Sequence, residues 1–331
     1  CLKALQEGGI PCSFIPVEHL QECTEKDFKY PLIVYFINAD TIKGVKRNLS
    51  YLDLRGKYEV AVWFWELENI PDYFRQSMRV VDELWCFSDF IAQCFSHSAD
   101  IPVVRMPFPY TAPVTFNPGP HKAPFTFFFA FDYESDFERK NPLGVIRAFK
   151  QAFQNNESVK LLIKSRKGAK FSLQKQRLEK EAFEDFRIEL MDCELPRPDL
   201  MKLLQASQVF VSLHRAEGLG LHLMDALSLG KPVIATGYGG VMDFLPKDYP
   251  GLVGYEYTPV VSEYEHYQIP CLWAQPCIQD ASARMKDCLL NYSRWVSASG
   301  DCLKKWRAEF SPTAFIEMFK KRYFEIFSEL F

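Results

Sequence analysis

The chain has 331 residues, 48% hydrophobic and 24% charged, the balance of a folded protein long enough for two ordinary domains. A formal net charge of −3 excludes a sequence-independent grip on nucleic acid, so any phosphate must be held by local cations and backbone N–H groups. The ten cysteines form no C-x-x-C pair and do not join the six histidines at metal-ligand spacing, which reads as free thiols in a reducing cytoplasm without a metal centre.

Taken in chain order, Leu2 to Gly9 reads as a helix end stopped by glycine, and Cys12 to Val17 as the strand after it. A doubly wound α/β domain opens with a strand and a glycine-bearing loop ahead of such a helix. The natural chain is therefore expected to extend upstream of Cys1 by roughly 15–30 residues. Further strands are expected at Leu32 to Ile37, Val60 to Trp65, Glu83 to Cys86 and Val103 to Met106. Helices fall near Pro71 to Val80 and Asp89 to Phe95, the latter capped by Ser88. The proline-rich stretch from Pro107 to Pro120 has no periodicity and reads as a linker, closing a first domain at residues 1–110.

The pattern then restarts. Strands are expected at Phe125 to Phe131, Val159 to Lys164, Arg187 to Met191, Val209 to Leu213 and Pro232 to Ala235. Helices alternate with them at Pro142 to Phe153, Ser172 to Phe183, Pro198 to Ala206 and Leu221 to Leu229. Such alternation implies α/β architecture, with two doubly wound, Rossmann-like domains facing a cleft, the second at residues 111–311. From Pro312 onward, Phe315, Phe319, Tyr323, Phe327 and Leu330 recur at helical spacing. Residues 312–331 are thus a crossover helix packing back on the N-terminal domain. No apolar run reaches the length of a membrane span.

The chemistry concentrates between His214 and Thr236. A buried strand runs into Glu217-Gly218-Leu219-Gly220, where glycine admits a ligand to the backbone and the next helix offers unpaired N–H groups to a diphosphate. Asp225 lies about two turns further along, and two carboxylates there suit the hydroxyls of a sugar and a ribose. A dinucleotide fingerprint is disfavoured because Leu223 stands where the third glycine would be.

This segment resembles the donor-binding signature of retaining GT-B glycosyltransferases, particularly family 4, in which a Glu-x7-Glu pair frames the loop and helix. Glu217 matches the first acid and Asp225 replaces the second. The resemblance implies that Glu217 meets the donor sugar and Asp225 the ribose. The segment Phe131 to Pro142 resembles the family's stretch with an Arg and a Lys ahead of the first donor-domain helix, here Arg139 and Lys140. These cations would neutralise the diphosphate leaving group, with Lys164 as a second phosphate candidate. Asn38-Ala39-Asp40, Trp63 to Glu68 and Gly237-Tyr238-Gly239-Gly240 resemble a bacterial branch of the same family. His214 and Gly239 would lie on the donor side, and Asn38, Asp40, Trp63 and Glu66 would line the acceptor side.

The resemblance implies transfer of a hexosyl unit from a UDP- or GDP-linked sugar to a hydroxyl of a glycan, lipid-linked glycan or protein, with retention. No cofactor and no metal are expected, since no Asp-x-Asp triad is evident. The rivals are a nucleotide-sugar epimerase or phosphorylase on the same fold, and a noncatalytic sugar-nucleotide sensor. The basic run Lys43, Lys46, Arg47, Arg55, Lys57 reads as a solvated face, with weak peripheral contact to the inner membrane face as its other use.

Overall fold

The computed structural model describes residues 1–111, 124–154, 158–183, 185–262, 264, 267 and 270–329. It divides into two compact units, Cys1–Thr111 with Arg307–Phe331, and Ala112–Trp306.

The first unit holds α1 (Leu2–Glu7), β1 (Leu32–Tyr35), α2 (Ala39–Asn48), β2 (Tyr58–Val62), α3 (Asp72–Met78), β3 (Glu83–Cys86), α4 (Asp89–Ser96) and β4 (Val103–Arg105). Its four strands are parallel and lie in chain order. Near-continuous burial along β2 and β3 is what helices on both faces of a parallel sheet produce. Ser88 caps α4 as expected, its Oγ accepting from the Ile91 N–H at 3.1 Å.

Residues 12–17 are not a strand: they run without a sheet partner into a short 3-10 turn at Val17–Glu22. Pro11 and Pro16 cannot donate to a ladder, and Phe14 is left 67% exposed, so nothing pins this segment to a sheet.

The C-terminal helix α12 (Pro312–Glu329) belongs to the first unit and contacts α1. Phe315 and Phe319 are buried, and Phe319 meets Trp85 edge-on at 5.7 Å. Lower down, Ile326 turns inward while Tyr323 is partly exposed, so the buried stripe drifts off the aromatic one; Leu330 lies outside the described residues. Arg322 reaches from α12 to the fully buried Glu83, with NH2 to Oε2 at 2.5 Å. Tyr58 and the Trp85 indole also donate to Glu83, at 2.9 and 2.6 Å, so this buried charge is satisfied on every side.

In the second unit, β5 (Phe125–Ala130), β6 (Val159–Ser165), β7 (Ile188–Asp192), β8 (Val209–Ser212), β9 (Val233–Thr236) and β10 (Leu252–Val253) form one parallel sheet. The spatial order is β10-β9-β8-β5-β6-β7. The chain winds outward from β5 in one direction, then returns and winds from β8 in the other, so the two neighbours form a topological switch point. Crossovers are made by α5 (Phe137–Lys140) with α6 (Pro142–Ala152), then α7 (Ser172–Ala182), α8 (Arg197–Ala206) and α9 (Leu221–Ser228). Phe125, Phe127 and Phe129 alternate onto one face of β5 and share a core with Phe149 and Phe153, whereas Phe128 turns to the other face against Phe210. An antiparallel hairpin of β11 (Tyr255–Pro259) and β12 (Leu272–Pro276) precedes α10 (Ile278–Leu290) and α11 (Tyr292–Glu309). All ten cysteines are free thiols.

Candidate functional site

The loops after β5 and β8 leave the sheet side by side at the switch point, which is where open α/β sheets bind ligands. Each loop carries one half of a charged cluster.

The β5 side is built on the single turn α5. Two residues with left-handed φ enclose it, Asp136 at 68° and Asn141 at 52°. Asp136 Oδ1 accepts from the N–H groups of Glu138 and Arg139 at 2.8 and 3.1 Å. Asn141 Oδ1 accepts from Gly144 N–H at 3.2 Å, and its Nδ2 donates to the Leu213 carbonyl at 2.8 Å, stitching the turn to the end of β8. Non-glycine residues in this region cost on the order of 1–3 kcal/mol each and persist only where the surroundings over-determine them.

The two cations on this turn are not equivalent. Arg139 is 4% exposed and donates from Nε to the Ser135 carbonyl at 3.1 Å and from NH1 to the Ala216 carbonyl at 3.0 Å. Its guanidinium stands 3.9 Å from Glu217 and over the Tyr267 ring. Lys140 makes the close pair, its Nζ 2.5 Å from Glu217 Oε2. Burial alone would raise the Glu217 carboxyl, but the charges of Lys140 and Arg139 outweigh it and hold the group well below the usual carboxylate range. Its other oxygen accepts from Gly220 N–H at 3.4 Å, at the N-terminus of α9.

His214 is fully buried between Ser212 Oγ, 3.1 Å from Nδ1, and the Tyr238 carbonyl, 3.1 Å from Nε2. A carbonyl can only accept, so Nε2 carries the proton and Nδ1 accepts from the serine. Burial pushes its pKa down to about 4, with Glu217 opposing, so the ring is neutral near pH 7.

Gly239 and Gly240 pack directly against the loop that carries Glu217. A Cβ on Gly239 would lie 2.4 Å from the Glu217 carbonyl, and one on Gly240 only 1.8 Å from that of Gly218. Gly240 N–H donates to the Glu217 carbonyl at 2.8 Å. These two glycines let two protein backbones close on each other, which fixes Glu217. Gly220 has a φ of 84°, and Leu219 is buried beneath the loop.

The other residues fall in separate places. Lys164, one residue before the end of β6, pairs with Ala130 and is 5% exposed; burial lowers its ammonium pKa, with Cys193 and Glu194 opposing. Asp225 is 1% exposed and meets Arg197 at 2.7 and 3.3 Å, with His222 at 3.7 Å, so its carboxylate is engaged by α8 while Glu217 is engaged by α5. In the first unit, Asn38 accepts from Phe64 N–H at 3.2 Å, Asp40 is exposed on the first turn of α2, and Glu66 is half-buried after β2. Trp63, expected to line the acceptor side, is instead 0% exposed and edge-on to Phe74 and Phe95, because the side chain beyond the end of β2 turns into the core. Phe64, 40% exposed, is the aromatic that faces outward there. Arg197 and Arg215 were missed. Arg215 lies inside the conspicuous motif, but its partners Glu138 and Gln275 lie 77 and 60 residues away.

The unit thus has the architecture of a doubly wound, Rossmann-like domain with a lysine–glutamate ion pair at its switch point. Residues 120–260 match the family described as Glycosyl transferases group 1. The sulfoquinovosyl transferase SQD2 of Arabidopsis thaliana is 36% identical over 61 residues, 18% of this chain, and the match spans only 12% of that plant protein. The sucrose-phosphate synthase of Thermosynechococcus elongatus superposes with a TM-score of 0.69 at 15% identity, covering 96% of this chain and 82% of that one. HepE of Anabaena, solved with UDP and glucose, gives a TM-score of 0.64 at 13% identity, covering 97% and 88%. At such identities the likeness is one of fold, and the fold is GT-B.

Proposed function

We propose that the protein transfers a hexosyl unit from a nucleotide diphosphate sugar, UDP- or GDP-linked, to a hydroxyl of a glycan, lipid-linked glycan or protein, with retention. The observation that carries this reading is the Lys140–Glu217 pair at the switch point, 2.5 Å apart. Lys140 is the cation for the leaving diphosphate, and Arg139, committed to backbone carbonyls, holds the loop that presents Glu217. Glu217, ionised and anchored, accepts from the donor sugar's hydroxyls and positions its anomeric carbon. The acceptor oxygen bonds to that carbon as the carbon–phosphate oxygen bond breaks, and the departing phosphate takes the acceptor's proton.

Lys164 is a further phosphate contact, and Asp225 takes the ribose hydroxyls by sharing its oxygens with Arg197. The relative solved with UDP and glucose supports a UDP sugar as the first donor to test. On the acceptor side, Asn38, Asp40 and Glu66 remain the polar lining. Among the described residues no three His, Cys, Asp or Glu side chains converge as a metal site. No helix among them is long and apolar enough to cross a membrane. The test is nucleoside diphosphate release from a panel of UDP and GDP sugars, with and without chelator and with candidate acceptors. Release that requires an acceptor supports the reading. Binding without turnover across the panel would favour a sensor.

A further inference from the structure

From the hairpin arm of β11 and β12, the residues Ser262, Tyr264 and Tyr267 reach back to α5 and its flanks. Ser262 Oγ donates to Asp136 Oδ2, the carboxylate that caps α5. Tyr264 stacks on Phe171, and its hydroxyl donates to the Tyr133 carbonyl at 3.2 Å. Tyr267 lies under the Arg139 guanidinium. A one-turn helix with strained caps has little stability of its own, so these contacts decide where its side chains point.

Arg215 joins the arm to the site. Its Nε donates to Gln275 Oε1 at 2.7 Å, its backbone carbonyl accepts from Ala274 N–H at 2.9 Å, and its guanidinium lies over the Trp273 ring. On the other side NH1 donates to the Glu138 carbonyl and to Glu138 Oε2, the latter at 3.2 Å, while the Arg215 N–H donates to the Arg139 carbonyl at 2.8 Å. One residue thereby clamps β12 and the turn α5 to the strand end that leads to Glu217, its side chain bridging Gln275 and Glu138. A planar, forked guanidinium can serve these directions at once, and an ammonium cannot.

We propose that Arg215 is a positioning residue for Lys140, acting through the arm, so that the hairpin sets the approach of Lys140 to the leaving phosphate. This rests on the reading of Lys140 given above. The test is a set of double-mutant cycles on the full chain, using donor turnover and calorimetric affinity for UDP and GDP. Arg215→Lys and the milder Ser262→Ala are each combined with Lys140→Ala, and thermal midpoints are recorded for every variant. Arg215→Lys should lower kcat about tenfold with a smaller change in donor KM, and Ser262→Ala should lower it about threefold, as expected for residues coupled in one network. Both effects should vanish in the Lys140→Ala background.

Effects that multiply with Lys140→Ala overturn the proposal, as does a Ser262→Ala protein with normal turnover. If Arg215→Lys does not fold, the Ser262→Ala cycle decides alone. If Lys140→Ala alone changes neither turnover nor nucleotide affinity, the reading of Lys140 fails and this proposal with it.

Discussion

Lys140 Nζ and Glu217 Oε2 lie 2.5 Å apart, joining two loops separated by 77 residues of chain. Both side chains are 16% exposed, so the pair is shielded from bulk water yet open to a ligand. Arg139, one residue earlier, is turned into the protein and spent on carbonyls.

Adjacent cations in such different surroundings should separate by mutation. Lys140→Ala should lower turnover on the order of 10²-fold, the usual cost of removing an electrostatic stabiliser, with a modest change in thermal midpoint. Arg139→Ala strands buried carbonyls and should cost about 2–4 kcal/mol of stability as well. Denaturant melts alongside donor kinetics check this; the reverse pattern would exchange the two roles.

Glu217→Gln keeps the shape of the loop and removes its charge. Transfer should fall on the order of 10²-fold while UDP or GDP binds as before, because the residue is assigned to the sugar and not to the nucleotide. Calorimetric titration with nucleoside diphosphate and with the intact donor distinguishes the two contacts. Near-normal turnover would sink the donor-site assignment.

The loop packing makes Gly239 and Gly240 intolerant of any side chain. Gly240→Ala places a Cβ 1.8 Å from a carbonyl oxygen, and Gly239→Ala adds a left-handed φ of 83°, so each should lose several kcal/mol or fail to fold. Gly44→Ala in α2 meets nothing within 4 Å and should instead stabilise by about 0.5–1 kcal/mol. Thermal melts of the three variants decide the matter.

His214 gives a pH signature. Its folded pKa, about 4, lies below the ordinary 6.5, so the unfolded chain binds its proton first as pH falls. The stabilisation is complete above pH 6.5 and is lost on acidification through the window down to about 4. It should total on the order of 3 kcal/mol. His214→Gln should flatten the stability profile across that window, and an unchanged slope would show that the ring does not titrate there.

In the first unit, the Arg322–Glu83 pair holds α12 to β3. Arg322→Met leaves a buried carboxylate without its cation and should cost about 3–5 kcal/mol. Adding Glu83→Leu should recover much of that loss. Chemical denaturation of the single and double variants tests it.

Period and punctuation were legible in the sequence. The phenylalanine run of β5 alternates because a strand has a period of two, and Ser88 caps α4 because its hydroxyl replaces a missing backbone partner. Glu217, Lys140 and Arg139 stood out because carboxylate, cation and glycine beside strand ends are costly without a use. Local chemistry could not say which of two adjacent cations meets the acid, that Trp63 is core while Phe64 faces outward, or that Gly240 exists for Gly218. Nor could it reveal that Arg215 bridges Gln275 and Glu138. Each of these depends on which distant segment closes against which, and that is set by sheet order and core packing, through which residues 60 or 77 positions apart become neighbours.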